Sequence, residues 1–124
     1  MEICIKSIHD KPEVSDGLRI YIDRSWPEWL TGDEADVSLW LKELAPSEGT
    51  YLWYAGKPER WDNFRDDYFI ELEGKLEQIS EVVRESDKGK VTLLYHDGAP
   101  SRNIATLLME YIAKNEERIL TPMA

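Results

Sequence analysis

Two adjacent charges, Asp23 and Arg24, close an alternating apolar run, LRIYID, and that placement is the first sign of chemistry in the chain. A strand end holds such groups rigidly at a crevice, so Asp23 is a candidate general acid or base and Arg24 a candidate anion binder. A structural reading competes, in which Asp23 caps the Trp26-Pro27 corner and Arg24 pairs with an acid of the long helix downstream. Lys42, Glu43 and Ser47 form a second set: a cation that can bind an anion, a carboxylate, and a hydroxyl at a helix start. Ser47 as a nucleophile requires a base such as His96 within reach. No GxSxG elbow is present, and N-capping is its simpler role.

The segment DGAPSRN (97–103) contains one glycine and fits neither a Walker loop nor a GxGxxG fingerprint. Its backbone donors, helped by Arg102, can still cradle a phosphate. His9 and His96 have acids beside them, but there is no HExxH or other close ligand cluster, so no built-in metal is expected. All five tryptophans lie between positions 26 and 61. Trp26 is a candidate pocket wall, and Trp29 and Trp53, in or near loops, suit stacking on a base or a partner surface. Trp61, Phe64 and Tyr68 recur at helical spacing and belong to a core.

The elements that must hold these groups follow from periodicity. Strands are expected over 2–8, over 18–23 with Leu18, Ile20 and Ile22 on one face, and at Val91–Tyr95, an apolar run suited to a central position buried on both faces. Residues 31–36 read as an exposed loop. The segment 37–44 alternates Val37, Leu39 and Leu41 and reads as a strand, with a two-turn helix as the competitor. Ser47 opens a short helix that stops at Gly56, and Pro58 opens a long amphipathic helix reaching Gly89, with Gly74 as a bend. A final helix from Ile104 frays through NEERI and is stopped by Pro122. Strands separated by helices predict an α/β fold: one domain over 1–124, a small layered sheet of about four strands, at least partly parallel, with flanking helices. Ligands of such sheets gather beyond the carboxyl ends of the strands, which selects 23–26, 42–47 and 96–103 as one rim.

The chain has 124 residues and a formal net charge of −10. That charge disfavours nucleic-acid polymers, whose binding depends on basic side chains releasing counterions, while leaving room for one small anionic ligand in a local basic pocket. The single cysteine, Cys4, cannot form an internal disulfide. No signal-peptide pattern opens the chain, and no apolar run approaches the roughly 20 residues needed to span a bilayer. A cytoplasmic protein without membrane attachment is the expectation.

Four segments in order, IDRSWPEW (22–29), WLKELAPS (40–47), PERWDNFRDDYFIEL (58–72) and VTLLYHDGAPSRN (91–103), resemble the domain-of-unknown-function 488 family, in its short YeaO-like branch. The resemblance covers most of the chain and implies a small α/β domain, without supplying a reaction. Glu28 and Trp29 stand where the family usually has arginine and glycine, so an anion site built on that arginine does not carry over. Tyr95, His96 and Arg102 stand where longer relatives carry a cysteine, histidine and arginine group, so thiol chemistry does not carry over either. The first functional reading is a polar or anion-binding pocket at the strand ends, in a small enzyme acting on a nucleotide-like or phosphorylated substrate. The alternative is a noncatalytic interaction or regulatory module, including a homodimer, that uses Trp29 and Trp53.

Overall fold

A computed structural model describes residues 1–120. Four strands, β1 (Ile3–Ser7), β2 (Leu18–Tyr21), β3 (Leu39–Trp40) and β4 (Val91–Tyr95), form one sheet in the order β1-β4-β2-β3. Every pairing is parallel. β4 is central and all five of its residues are buried, as a continuous VTLLY run requires. Among the described residues, no helix is long and apolar enough to cross a membrane.

The helices are α1 (Gly32–Ala35), α2 (Glu48–Tyr54), α3 (Trp61–Leu72), α4 (Leu76–Lys88), α5 (Ile104–Lys114) and α6 (Glu116–Leu120). α3, α4 and α5 place Phe64, Tyr68, Leu72, Ile79, Val83, Leu108 and Ile112 against Ile20, Ile22, Val91 and Leu93 in the main core. Burying side chains of this size contributes about 1.5–3 kcal/mol each before chain entropy is counted. The opposite face carries a smaller cluster, Ile8, Tyr21, Ala35 and Leu94 with Trp26, Leu30 and Val37 packed on it. The chain between β2 and β3, with the short α1, covers that side.

Four local readings of the sequence are corrected. Residues 31–36 are not all loop: Thr31 Oγ1 accepts the Glu34 amide and starts a single helical turn over Gly32–Ala35. The strand expected over 37–44 narrows to Leu39–Trp40. Lys42–Leu44 is a 3-10 turn that drives Leu44 into the core, where its carbonyl accepts the Tyr68 hydroxyl at 2.5 Å. The long helix divides into α3 and α4 at the 3-10 turn Glu73–Lys75. Gly74 lies in that break, and Glu73 is tied to Tyr111 and to Arg118 at 2.9 Å. NEERI likewise holds its own short helix, α6, and Pro122 lies outside the described residues.

Candidate functional site

The carboxyl ends of β2 and β4 lie side by side, so Asp23 faces the His96-Asp97 segment across the rim. Asp23 is 6% exposed. Its Oδ1 accepts the Arg24 amide at 2.8 Å, its Oδ2 is 3.4 Å from the Tyr51 hydroxyl, and its carbonyl accepts the Trp40 indole N–H at 2.7 Å. Burial pushes the carboxyl above the ordinary aspartate range and the negative charge of Asp97 adds to the effect, while the Arg24 amide and His96 oppose it. Burial, followed by the charge of Asp23, in turn raises the Tyr51 phenol far above its usual value.

Beside Asp23 runs a cleft with two lobes that share Tyr51 and Asp97. The larger lobe, about 600 Å³, lies between an aromatic wall of Tyr51, Tyr54, Trp61 and Phe64 and the β4–α5 loop with Gly98, Arg102 and Asn103. The smaller, about 430 Å³, is lined by Asp23, Arg24, Glu48, Leu52 and His96. The wall is rigid because its rings brace one another. Tyr54 stacks on Phe64 with centroids 4.6 Å apart and meets Trp61 edge-on at 5.7 Å.

The opposite side is equally fixed. Asn103 caps α5: its Oδ1 accepts the Thr106 amide at 2.9 Å, and its Nδ2 donates back to the Ala99 carbonyl at 2.9 Å. Gly98 has φ +119°, and a Cβ there would stand 2.6 Å from the Arg102 carbonyl oxygen, so this turn requires glycine. Arg102 is exposed, with its guanidinium 5.7 Å from the Trp61 ring centroid.

Of the residues singled out in the sequence for binding or catalysis, Asp23, Arg24, His96 and Arg102 line the cleft, whereas Trp26, Lys42 and Ser47 lie elsewhere. Trp26 turns to the opposite face, packs at 5.6 Å from Trp40, and donates its indole N–H to the Leu30 carbonyl at 2.6 Å. Lys42 lies over the Trp40 ring at 5.4 Å. Ser47 caps α2, and its Oγ donates to Glu71 of α3 at 2.9 Å. Partial burial pushes Glu71 up, but hydrogen bonds from Thr50 and Ser47, with the nearby charge of Arg24, more than offset it and hold Glu71 below the usual glutamate range. Arg24 itself donates to the Pro46 carbonyl at 3.0 Å. Among the described residues, no ion pair joins it to Asp23, and no three His, Cys, Asp or Glu side chains are arranged to hold a metal ion. The aromatic cleft residues not singled out in the sequence are Tyr51 and Tyr54. The i, i+3 spacing of the two tyrosines on a helix capped by Ser47 was the available signal.

The model of the inactive DUF488-N3 subclade matches residues 2–120. The chain is 31% identical over 108 residues to the uncharacterised protein Rv3073c of Mycobacterium tuberculosis, covering 87% of this chain and 91% of the relative. It is 30% identical over 112 residues to the uncharacterised protein YeaO of Escherichia coli, covering 90% and 97% respectively. No solved structure matches it. The match runs along nearly the whole chain, which belongs to the DUF488 family.

Proposed function

We propose that the chain is a binding protein for a small nucleotide-like molecule, a flat ring joined to a phosphate, held in the two-lobed cleft. The observation that carries this reading is the braced wall of Tyr51, Tyr54 and Trp61 with Arg102 at its edge, over the Trp61 ring, all lining one cleft. A ring fits the aromatic side, and base stacking on such a side chain contributes about 1–3 kcal/mol per base. The phosphate fits Arg102 and the amino end of α5, where the helix dipole favours an anion. The acidic balance of the chain, −10 overall, matches one small anion better than a polymer.

Binding without turnover is supported by the description of the matching subclade as inactive. In this reading Asp23 serves as a buried carboxyl beside Tyr51 that meets a polar group of the ligand, and Arg24 borders the smaller lobe. Calorimetric titration with AMP, ribose 5-phosphate and adenosine tests it. AMP is expected to bind one to one, more tightly than adenosine, with at least tenfold weakening in Arg102→Ala and in Tyr54→Ala, and to be recovered intact after long incubation. Absence of heat from all three, or equal affinity in both variants, overturns the site. Conversion of AMP that is lost in Asp23→Asn replaces binding with catalysis and makes Asp23 the acid or base.

A second reading is an interaction surface on α2, favoured by Leu52 at 69% and Trp53 at 41% exposure. It expects a dimer in sedimentation that Leu52→Ser dissociates, and a monomer at every concentration rejects the homodimer form.

A further inference from the structure

Next to the smaller lobe of the cleft, which His96 also lines, β1 and β4 each run into a histidine, and the parallel register brings the two together. Ser7 pairs with Tyr95 and the Ile8 amide donates to the Tyr95 carbonyl at 2.8 Å, so His9 and His96 leave the sheet side by side. A tight turn fixes His9. Its amide donates to Ser7 Oγ at 3.1 Å, the Asp10 amide donates to the Ser7 carbonyl at 3.0 Å, and the Asp10 carboxylate accepts the Ser7 amide at 3.0 Å. His9 Nε2 and His96 Nδ1 are 2.9 Å apart, with the rings tilted at 51°. The far nitrogen of His96, Nε2, faces the Asp97 carboxylate at 3.7 Å. Trp29, 91% exposed, and Glu28 line the same hollow.

We propose that this pair is a binding site for one divalent transition-metal ion of the imidazole-preferring class, with His9 Nε2 and His96 Nδ1 as its two protein donors and water in the remaining positions. The spacing suits it. Metal–nitrogen bonds of about 2.0–2.1 Å meeting at a right angle place their nitrogens roughly 2.9 Å apart, and right-angled donors belong to the square or tetragonal coordination of Cu²⁺ and Ni²⁺. Exposed His9 has room to turn its lone pair from its neighbour toward a shared point.

One choice of tautomers suits the pair. The negative charge of Asp97, 3.7 Å from His96 Nε2, favours the proton on that nitrogen and leaves Nδ1 as the donor to a metal, and a small approach of the carboxylate would complete the carboxylate–histidine–metal arrangement. In the free pair, His9 Nε2–H donates to that lone pair. On metal binding the proton leaves His9 Nε2 and is restored from solvent on His9 Nδ1, so neither ring changes charge and no proton is released overall. Asp97 is a positioning residue in this scheme.

Titration of Ni²⁺ into the protein at physiological salt, with excess Mg²⁺ to occupy the acidic surface, provides the test. One ion should bind per chain. Binding should weaken by roughly tenfold or more in His9→Gln and in His96→Gln, and by about tenfold in Asp97→Asn. Ni²⁺ should also quench tryptophan emission in the wild type. In Trp29→Phe most of that quenching should disappear while the heat of binding remains, which places the ion beside Trp29 rather than elsewhere on an acidic chain. Unchanged Ni²⁺ binding in the double variant His9→Gln/His96→Gln overturns the site, as does wild-type binding that excess Mg²⁺ abolishes. Neither outcome depends on whether AMP binds in the cleft.

Discussion

Asp16 and Asp23 stand just outside opposite ends of β2, each with an arginine close by in sequence, and their surroundings act on them in opposite directions. Asp16 is fully engaged. It holds Arg19 at 2.6 Å and Lys6 at 3.1 Å, and accepts the Glu13 amide at 3.0 Å, and its own carbonyl accepts Thr92 Oγ1 at 2.7 Å. Burial alone would raise its carboxyl, but these donors more than offset it and hold the group below the ordinary aspartate range. Asp23 is also buried, yet receives only the Arg24 and His96 backbone amides and a long contact from a phenol, and burial wins. Satisfied charge under the sheet secures the fold. Incompletely satisfied charge at the rim is what the proposed ligand would meet.

The comparison is tested most severely on the satisfied side. Arg19 is 1% exposed and also donates to the Ala35 carbonyl at 2.8 Å and the Asp36 carbonyl at 3.0 Å. Arg19→Met should therefore cost about 3–5 kcal/mol in urea unfolding, the range for breaking one side of a buried pair. A loss well under 1 kcal/mol would mean that the network is incidental. Gly98→Ala should cost roughly 1–3 kcal/mol, because the residue is held at φ +119° against the Arg102 carbonyl, and should weaken AMP binding by deforming the loop. An unaltered melting temperature would show that the loop is looser than its hydrogen bonds imply.

A pH series separates the two aspartates by sign. The folded-state pKa of Asp16 is depressed, so its stabilisation is present above the unfolded value of 3.8 and disappears as pH falls through the folded one. Asp16→Asn should therefore destabilise the protein at pH 7, and the deficit should shrink in acid. The folded-state pKa of Asp23 is raised, so ionisation destabilises the fold, fully so once pH has risen through that value. Asp23→Asn should stabilise the protein at pH 7, with the gain vanishing below pH 3.8. Losses of similar size in both variants would erase the distinction. The smallest effect belongs to Ser47→Ala, about 1 kcal/mol for a lost cap, with AMP affinity retained.

Much of this architecture was legible in the sequence. Leu18, Ile20 and Ile22 fixed the face of β2, VTLLY announced the central strand, and Ser47 announced α2. The ion pair beneath the sheet was hidden for a physical reason. Arg19 occupies an alternating polar position, which ordinarily faces water, and only the coverage of that face by residues 31–36 and the turn at Asp16 makes it the most buried cation of the chain. The cleft was half legible. Asp23 and Arg102 lie at strand and helix ends, where ligands gather, whereas Tyr51 and Tyr54 meet them only through the packing of α2 on α3. The histidine pair depends on register between two strands distant in sequence, which spacing alone does not reveal.

The central claim, that the rim binds and the underside holds, is tested most directly by adding AMP to ¹⁵N-labelled protein and following backbone amide shifts. Saturable shifts are expected at Tyr54, Gly98, Arg102 and Ile104, with Asp16 to Arg19 unmoved. Shifts centred on Asp16 and Arg19, or no saturable shift at the rim, would contradict it.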